Sequence, residues 1–310
     1  MSPPSSSKNE SGTARILGAA TSGILELLGF HPIDTIAKRL MNNQSKLAAG
    51  HSFSEKTAEI NRVIFKDAAG KGGFTKYISL FPGLKFAAGY KILQRIYKFG
   101  GQPYVNEYLN KNHKTTFQST FGEAHSKTMM HAMAGSLVGI GEIVLLPLDA
   151  LKIKMQTNAG TYSGQSVLQI VRQEGWGLYR GATWTAARNA PGSFALFGGS
   201  AIAKEYLFKL EDYSKATFFQ NFVASISGAV ASITISAPLD VIKTRIQARS
   251  ASEALGGWTI VKDMAMKEGF GSFFKGLTPK ILVVGPKLIF SFTVAQQLIP
   301  YFDGLIKGSQ

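Results

Sequence analysis

The sequence predicts an all-α membrane protein whose six transmembrane helices form three tandem repeats, with short surface helices on one side and a pseudo-threefold barrel around a central cavity. Two observations support this fold class. A Pro-x-Asp tripeptide ends three separate apolar runs, at Pro32-Ile33-Asp34, Pro147-Leu148-Asp149 and Pro238-Leu239-Asp240. A polar connector and a second apolar run follow each tripeptide. A two-segment unit that recurs in this way indicates an internal repeat.

Each apolar run is long enough to cross a bilayer, which takes about 20 mainly apolar residues in a helix. The predicted spans are residues 14–42, 75–101, 126–157, 181–208, 218–249 and 276–304. The repeats are predicted at residues 14–122, 123–212 and 213–304, between a disordered tail at 1–13 and a C-terminal tail at 305–310. A proline inside a span kinks the helix and frees a backbone carbonyl. We therefore expect Pro32, Pro147 and Pro238 to bend the three odd-numbered helices towards one another.

The polar connectors contain short amphipathic stretches near residues 57–69, 163–174 and 258–268. Helices with one apolar and one charged face commonly lie in the plane of a membrane surface. We expect these stretches to form such surface helices, with ordinary loop helices as the alternative.

The charge balance indicates an anionic partner. Lys and Arg number 34 against 19 Asp and Glu, which gives a net charge of +15. Such a charge attracts nucleic acid, anionic lipid or an anionic substrate. A soluble, basic nucleic-acid-binding protein is the alternative class, because the mean hydropathy is only +0.05. Many of the bases, however, follow apolar runs at fixed positions, so we expect a membrane protein and no nucleic acid.

Composition argues against an enzyme. The chain has no cysteine, which excludes disulfides, thiolate metal sites and a cysteine nucleophile. Its five histidines form no metal-binding pattern such as H-E-x-x-H. The segment Gly70-Lys71-Gly72-Gly73 lacks the spacing of a phosphate-binding loop. We therefore expect no catalytic residues, no metal and no cofactor.

The repeats share further residues that point to a known family. PLDALKIKMQ and PLDVIKTRIQ follow the second and third apolar runs in step. Glu174-Gly175 and Glu268-Gly269 each precede an aromatic-base-glycine triplet, at Tyr179-Arg180-Gly181 and Phe274-Lys275-Gly276. On these residues, the chain from about 14 to 304 resembles the mitochondrial carrier family. The resemblance implies a multi-pass antiporter of the inner mitochondrial membrane. It also implies alternating access by a monomer, and cardiolipin at the surface helices on the matrix side.

The resemblance also implies a gate on the matrix side. In the family, the aspartate of each odd helix pairs with the base five residues after the next motif's proline. Carried over, Asp34 pairs with Lys152, and Asp149 pairs with Lys243. These pairs close the matrix side and must break in every transport cycle, so we expect each to be worth only about 1 kcal/mol.

The third gate pair departs from the family pattern. Ala37 stands where the base that pairs with Asp240 belongs. The neighbouring Lys38 lies about 100° around the helix, so it would reach Asp240 only through its flexible stem. Gln156 and Gln247 occupy the positions at which the family places glutamines that brace the pairs.

The cytoplasmic gate of the family is not matched. Its pattern is an aromatic, an acid, two residues and a base at the end of each even helix. The corresponding segments here are Tyr97-Lys98, Ser200-Ala201 and Ala295-Gln296. We expect a weak or differently built cytoplasmic gate, and a resting state that opens to the cytosol.

The family's substrate contacts lie near the bilayer midplane on the even helices. Carried over, these contacts are Lys85, Arg188, Asn189 and Val283. We add Lys287, one turn from Val283 on the same side of the helix, and Glu142 from the third helix as further substrate-binding residues. A cation inside a span costs a few kcal/mol unless an anion offsets it. Arg188 suits a phosphate or carboxylate because its guanidinium donates two parallel hydrogen bonds. Alternatively Lys85 extends to the membrane interface, and Arg188 pairs with Glu142 or Glu26.

The expected substrates are guanine nucleotides, GTP exchanged for GDP. Within the family, GIGEIVLLPLDALKIK and WTAARNAPGSFALFGG are most similar to members with those substrates. Guanine carries adjacent N–H donors, and the Glu142 carboxylate is a suitable acceptor for both; the alternative is that Glu142 pairs with bases in the cavity. A di-carboxylate, tricarboxylate or keto acid is the alternative substrate class.

Overall fold

The computed structural model describes residues 12–44, 52–158, 160–162, 165–210, 216–249 and 256–308. Every regular element in these ranges is helical. Most of the predicted N-terminal tail, residues 1–11, lies outside them. The tail prediction is wrong at its end, because the first long helix begins at Gly12.

Six long helices account for the six apolar runs. Helix α1 is Gly12–Asn42 and α5 is Phe218–Ala248. Helix α4 is Ala182–Ile202, which a π-helical turn at Ala203–Leu207 extends. Helix α6 is Leu277–Gly308 and includes residues 305–308 of the predicted C-terminal tail. Tail residues 309 and 310 lie outside the described ranges.

The second and third helices form one long antiparallel hairpin. A helical run covers Leu84–Gly141 and is interrupted only at Gly122, whose φ of 74° and ψ of 161° are not helical. Positive φ is the conformation that glycine adopts without strain. The interruption divides the run into α2, residues 84–121, and the start of α3. The Tyr97 hydroxyl fills the space beside Gly141, and Val138 lies 3.6 Å from the Cβ position of Gly101, so the two helices run antiparallel.

The predicted bounds of α2 were wrong at both ends. The span expected at 75–101 begins with a separate short helix, Gly73–Ile78, and α2 itself starts at Leu84. The helix then continues to residue 121. Residues 102–121 are polar but compatible with a helix. The predicted span therefore stops at the end of the apolar run, whereas the helix continues beyond it. Helix α3 runs on through the 3₁₀ segment Glu142–Leu145 and ends with Leu146–Asn158.

Three glycines open the even helices in the same way. Gly83, Gly181 and Gly276 immediately precede α2, α4 and α6, with φ of 79°, 78° and 78°. Each lies against the end of an odd helix. A Cβ on Gly83 would meet the backbone oxygen of Lys152 in α3 at 3.0 Å, and a Cβ on Gly276 would meet that of Ala37 in α1 at 2.6 Å.

The corresponding contact of Gly181 is with α5, where Ile246 lies 3.4 Å from the Cβ position. The three contacts are therefore equivalent: each even helix begins against the end of an odd helix. A larger residue would be strained at all three positions because of the positive φ, and at Gly276 its Cβ would also clash with the Ala37 backbone.

Helices α4 and α5 pack closely through small residues. The Cβ position of Gly199 is 3.1 Å from the Cα of Gly228, and the Ser232 hydroxyl donates to the carbonyl of Gly192 at 2.7 Å. Small residues that let backbones approach are typical of helix contacts inside membranes.

The outward faces of the long helices are apolar. Exposed side chains include Leu137, Ile140 and Val144 on α3, and Leu282 and Ile289 on α6. Spacings of three, four and seven residues place each group on one face. Among the residues that the structure describes, two helices are apolar enough by length and composition to cross a membrane, Thr128–Asn158 and Phe219–Ala248. Length and composition are weak evidence by themselves, since buried core helices share them.

The connectors contain short helices at the predicted places, namely Phe53–Phe65, Val167–Glu174 and Gly257–Asp263. Residues 163–164 of the second predicted stretch lie outside the described ranges. The third connector helix packs on the ends of α1 and α5 through a buried cluster of Met41, Val241, Ile242, Ile246, Ile260 and Met264. The connectors are thus fixed to the ends of the odd helices.

Candidate functional site

Two of the predicted ion pairs are present. Lys152 Nζ lies 3.1 Å from Asp34 Oδ2 and joins α3 to α1. Lys243 Nζ lies 2.6 Å from Asp149 Oδ2 and joins α5 to α3. Each aspartate follows a helix proline by two residues, and each lysine follows one by five. These spacings bring the three odd helices together just beyond their proline positions.

The third aspartate has partners that the sequence analysis did not foresee. Asp240 Oδ1 lies 2.5 Å from Arg188 Nε in α4, and Oδ2 lies 2.7 Å from Lys280 Nζ in α6. Lys38 does reach towards α5, but its Nζ donates to the Thr244 hydroxyl at 2.9 Å, one turn beyond the aspartate. The prediction considered bases on odd helices only, whereas both partners of Asp240 come from even helices.

The two predicted glutamine braces differ from each other. Gln156 donates to the Thr35 hydroxyl at 3.1 Å, next to Asp34 in the chain but not to the ion pair itself. Gln247 is 2% exposed, and neither atom of its amide has a hydrogen-bond partner among the described residues. In the second repeat, Ala150 stands where Thr35 stands in the first. Alanine has no hydroxyl, so a brace of this kind is not available to Gln247.

A second cluster of charge joins α1, α2 and α6. Glu26 is 3% exposed and lies 2.7 Å from Lys91 Nζ and 3.3 Å from Lys287 Nζ. Nearby, the Ser22 hydroxyl donates to the backbone oxygen of Ser291 at 3.0 Å. This cluster contains Lys287, which the sequence predicted as a substrate-binding residue, and Lys91, which it did not; the substrate role of Lys287 stays a prediction.

The glycines that open the even helices give α2 a register different from the one that led to Lys85, whose substrate role stays a prediction. Lys85 is exposed on the first turn of α2. Lys91 lies eight residues after Gly83, just as Asn189 lies eight residues after the equivalent Gly181, so the two residues occupy corresponding positions. The prediction had aligned Ala88 with a helix proline, but alanine gives no reliable anchor. The positive-φ glycine Gly83 does give a reference point, and an alignment on it selects a lysine six residues further along α2, Lys91 instead of Lys85.

Glu142 takes part in a hydrogen-bond network with neutral donors. The Tyr90 hydroxyl and the Gln94 amide both donate to its Oε1. The carboxylate is 5% exposed and opens the 3₁₀ segment Glu142–Leu145, ahead of Pro147. The sequence offered Glu142 or Glu26 as alternative partners of Arg188. The carboxylate that pairs with Arg188 in the structure is instead Asp240.

Arg188 is held by its neighbour as well as by Asp240. Its Nη1 donates to Asn189 Oδ1 at 2.8 Å, and Asn189 Nδ2 donates to the Gly139 carbonyl in α3 at 2.5 Å. The side chain of Arg188 nevertheless keeps 36% of its surface exposed. Val283 lies seven residues after Gly276, just as Arg188 lies seven residues after Gly181, so the two residues occupy corresponding positions. Val283 is half-buried and gives this position in α6 an apolar surface.

Taken together, these side chains carry more positive than negative charge. The cations with partners in the network are Lys38, Lys91, Lys152, Arg188, Lys243, Lys280 and Lys287. The carboxylates are Glu26, Asp34, Glu142, Asp149 and Asp240. Within the described part of the chain this leaves an excess of two positive charges, which favours binding of a polyanion. No cluster of the described residues has the composition of a metal site.

A further set of ion pairs ties the connectors to the odd helices. Lys154 Nζ lies 3.1 Å from Glu174 Oε1, and Glu268 binds both Arg245 and Lys275, the latter at 2.7 Å. Lys154 and Arg245 each follow a motif proline by seven residues, a signal that the sequence analysis did not use. Burial alone would raise the pKa of Glu268, but the hydrogen bonds from Arg245 and Lys275 hold that pKa below its ordinary value.

The positions expected for a cytoplasmic gate are only partly described. The side chains of Lys98, Ala295 and Gln296 lie outside the described part of the chain. The Tyr97 hydroxyl lies against Gly141 in α3. The weak cytoplasmic gate therefore stays a prediction.

Comparison with known proteins gives consistent matches. The family model described as mitochondrial carrier protein matches residues 124–211 and 214–304. A mitochondrial carrier of Schizosaccharomyces pombe is 59% identical over 99% of this chain and 100% of its own length. Mitochondrial GTP/GDP carrier protein 1 of Saccharomyces cerevisiae is 57% identical over 98% of this chain and 99% of its own. Mitochondrial citrate transporter C of Aspergillus niger is 26% identical over 94% and 91%.

Proposed function

The chain belongs to the mitochondrial carrier family, and from this premise we propose that it exchanges guanine nucleotides, GTP for GDP, across the inner mitochondrial membrane. The observation that supports this substrate most is the 57% identity, over 98% of the chain, to the GTP/GDP carrier of Saccharomyces cerevisiae. The citrate transporter, at 26%, is far less similar. The excess of cations in the charged network suits a nucleotide phosphate chain.

For the fold, we propose a pseudo-threefold barrel of three tandem repeats, each with one odd and one even helix. Support comes from the equivalent contacts of Gly83, Gly181 and Gly276 with the ends of α3, α5 and α1. These contacts relate the three helix pairs to one another in a ring. Because three repeats complete such a ring, a monomer is sufficient for transport.

The matrix side of this barrel is the side on which the odd helices end. There the pairs Asp34–Lys152 and Asp149–Lys243 hold α1, α3 and α5 together. We propose that both pairs break when the carrier opens to the matrix and form again when it opens to the cytosol. For a buried pair, the cost of removing both charges from water offsets much of their mutual attraction, which allows a bound substrate to compensate for the loss of the pair.

The nucleotide is proposed to bind between the even helices. Arg188 supplies a guanidinium for a phosphate, with Asn189 orienting it, and Lys91 and Lys287 supply point charges. Glu142 is proposed to accept hydrogen bonds from the guanine base, as it accepts them from Tyr90 and Gln94. Val283 contributes an apolar surface in α6.

The connector helices are proposed to lie on the matrix surface of the membrane against cardiolipin. Large aromatic side chains project from the connectors, with exposures of 87% for Phe53, 87% for Trp176, 78% for Trp258 and 79% for Phe270. Exposed aromatic residues of this kind are enriched at membrane interfaces.

Exchange in liposomes tests the proposed substrate. The purified protein is reconstituted with internal GTP, and uptake of labelled GTP is measured with GDP, ATP, citrate or oxoglutarate as competitors. Uptake that GDP inhibits and ATP does not is the expected result. Exchange of citrate or oxoglutarate without GTP uptake would replace the nucleotide by a carboxylate and leave the family assignment intact.

A further inference from the structure

We propose that Asp240 is a latch that the phosphate chain of the substrate releases, because the cations that hold it, Arg188 and Lys280, are also the cations that bind phosphate. This inference rests on the proposed function, and it adds Lys280 to the substrate site. In place of the missing third gate pair, the contact of Asp240 with Arg188 and Lys280 would then break when the nucleotide binds.

The latch exists because the first repeat lacks a base at the gate position. Lys152 and Lys243 follow their motif prolines by five residues, and Ala37 occupies the same position in the first repeat. With no lysine from α1, both carboxylate oxygens of Asp240 are bound by even helices: Oδ1 at 2.5 Å by Arg188 and Oδ2 at 2.7 Å by Lys280. The third contact therefore joins α5 to α4 and α6, whereas the other two join odd helices.

Arg188 belongs to two sites at once. It lies in the row of the even helices that faces the proposed nucleotide, and Asn189 holds its guanidinium in place at 2.8 Å. An arginine has five N–H donors, so a phosphate can approach Arg188 while Asp240 is still bound. The negative charge of that phosphate repels the Asp240 carboxylate and weakens the contact between Arg188 and Asp240.

Lys280 extends the cationic surface from the substrate row towards the matrix. It lies seven residues before Lys287 on α6, which places both on one face about two turns apart. Across the helices, Lys38 Nζ is held at 2.9 Å by Thr244, one turn beyond Asp240. Three cations thus lie around or beside the Asp240 carboxylate. A chain of phosphates that reaches this level finds more cations than Asp240 can neutralise.

The consequence is a linkage between nucleotide binding and closure of the matrix side. Two anions that compete for the same cations weaken each other's binding by the same factor. Removal of the Asp240 charge should therefore tighten nucleotide binding while it loosens the closed state. A nucleotide with more phosphates should compete more strongly than one with fewer.

Titration of the purified protein with GTP, GDP and GMP tests the latch, with the apparent melting temperature in detergent as the readout. For Asp240→Asn we expect a lower melting temperature without nucleotide, and half-saturation at an about tenfold lower GTP concentration. Asp303→Asn is the matched control, because Asp303 pairs with Lys307 at 2.6 Å at the far end of α6. Unchanged or weaker GTP binding by Asp240→Asn, with the control unchanged, overturns the latch.

Lys280→Gln keeps the pair between Asp240 and Arg188, so it supplies an independent test if Asp240→Asn does not fold. We expect an about tenfold higher half-saturating concentration for GTP, a smaller increase for GDP and none for GMP. Lys307→Gln is its control on the same helix. An equal increase for all three nucleotides would mean that Lys280 does not contact the terminal phosphates, and would overturn its place in the site.

The same experiment separates this inference from the proposed function. If GTP neither stabilises the wild-type protein nor exchanges, the guanine-nucleotide proposal is wrong. Inorganic tripolyphosphate then tests the latch alone: tighter binding of tripolyphosphate by Asp240→Asn than by the wild type supports competition for phosphate. Equal binding by both proteins, or binding by neither, overturns it.

Discussion

At the scale of single residues, Glu142 is the proposed determinant of base selection. Its carboxylate accepts from Tyr90 and Gln94, and we propose that it also accepts from a guanine. Adenine offers a different pattern of donors and acceptors on the same edge. The amide that replaces the acid in Glu142→Gln has one acceptor oxygen instead of two.

We therefore expect Glu142→Gln to reduce the preference for GTP over ATP about tenfold, since a hydrogen bond to a buried charge is worth about 1.5–3 kcal/mol. The ratio of GTP to ATP uptake in liposomes measures this preference. Glu123→Gln, a change of an exposed acid near the α2–α3 turn, should leave the ratio as it is. An unchanged ratio in Glu142→Gln would remove Glu142 from base recognition.

Glu268 gives a prediction about acid stability. Its pKa in the folded protein lies below the ordinary value of 4.5, because Arg245 and Lys275 offset the effect of burial. A carboxylate whose pKa is lowered by folding stabilises the protein above its unfolded pKa, and that contribution is lost as the pH falls through the folded pKa. The wild-type melting temperature should therefore fall as the pH decreases below about 4.5.

The fall should be smaller in Glu268→Gln, which has no charge to lose. Asp263→Asn is the comparison, because Asp263 belongs to an exposed pair with Lys267 and exposed pairs contribute little. Its pH profile should follow that of the wild type. Parallel profiles for Glu268→Gln and the wild type would show that Glu268 does not contribute to acid stability.

At the scale of helices, the glycines that open α2, α4 and α6 are expected to be intolerant of side chains. A Cβ on Gly276 would lie 2.6 Å from the Ala37 backbone oxygen, and its φ of 78° is unfavourable for other residues. Gly276→Ala should lower the free energy of unfolding by about 1–3 kcal/mol.

Gly304→Ala is a suitable control on the same helix, since nothing lies within 4 Å of its Cβ position. Alanine favours a helix over glycine by about 1 kcal/mol, so this variant should be as stable as the wild type or slightly more stable. Thermal unfolding in detergent compares the two. Equal melting temperatures would indicate that the contact between α6 and α1 can relax around a methyl group.

The sequence was sufficient to predict the ion pairs that join odd helices, but it was insufficient to predict which residues of the even helices take part in the charged network. Asp34–Lys152 and Asp149–Lys243 could be predicted because a proline fixes the register of each odd helix. Helix α2 has no proline at the position of Pro191 in α4, so Lys85 was predicted from an alignment on Ala88, whereas the opening glycine Gly83 favours Lys91.

The partners of Asp240 could not be predicted for a related reason. Which even-helix cation reaches α5 depends on how far the helices approach each other, and one-dimensional spacing does not contain that distance. The polar half of α2 was not predicted because the spans were identified by their apolar residues. A helix that extends outside the membrane does not need apolar residues.

At the scale of the whole molecule, the ion pairs between odd helices close one side of the proposed barrel. The chain has no cysteine, so one introduced thiol is the only thiol. In Val283→Cys, a thiol reagent that cannot cross membranes should react about tenfold faster from the cytosolic side than from the matrix side when no substrate is present.

Proteoliposomes in which the reagent is added outside, or enclosed inside, measure the two rates. A cysteine at the exposed position 304 controls for the orientation of the protein in the liposomes. Equal rates at Val283→Cys from both sides would contradict a resting state that is open to the cytosol.

The long hairpin of α2 and α3 gives the molecule a shape that is useful for imaging. At 1.5 Å per residue, the 38 residues from 84 to 121 make a helix of about 57 Å, longer than a bilayer with its headgroups, which measures about 40–45 Å. Small membrane proteins are difficult to align in electron cryomicroscopy because a detergent micelle hides most of their mass. Here the turn at Gly122, with nothing within 4 Å of its Cβ position, is a site at which a rigid fiducial domain can be inserted between two helices that already hold each other in register.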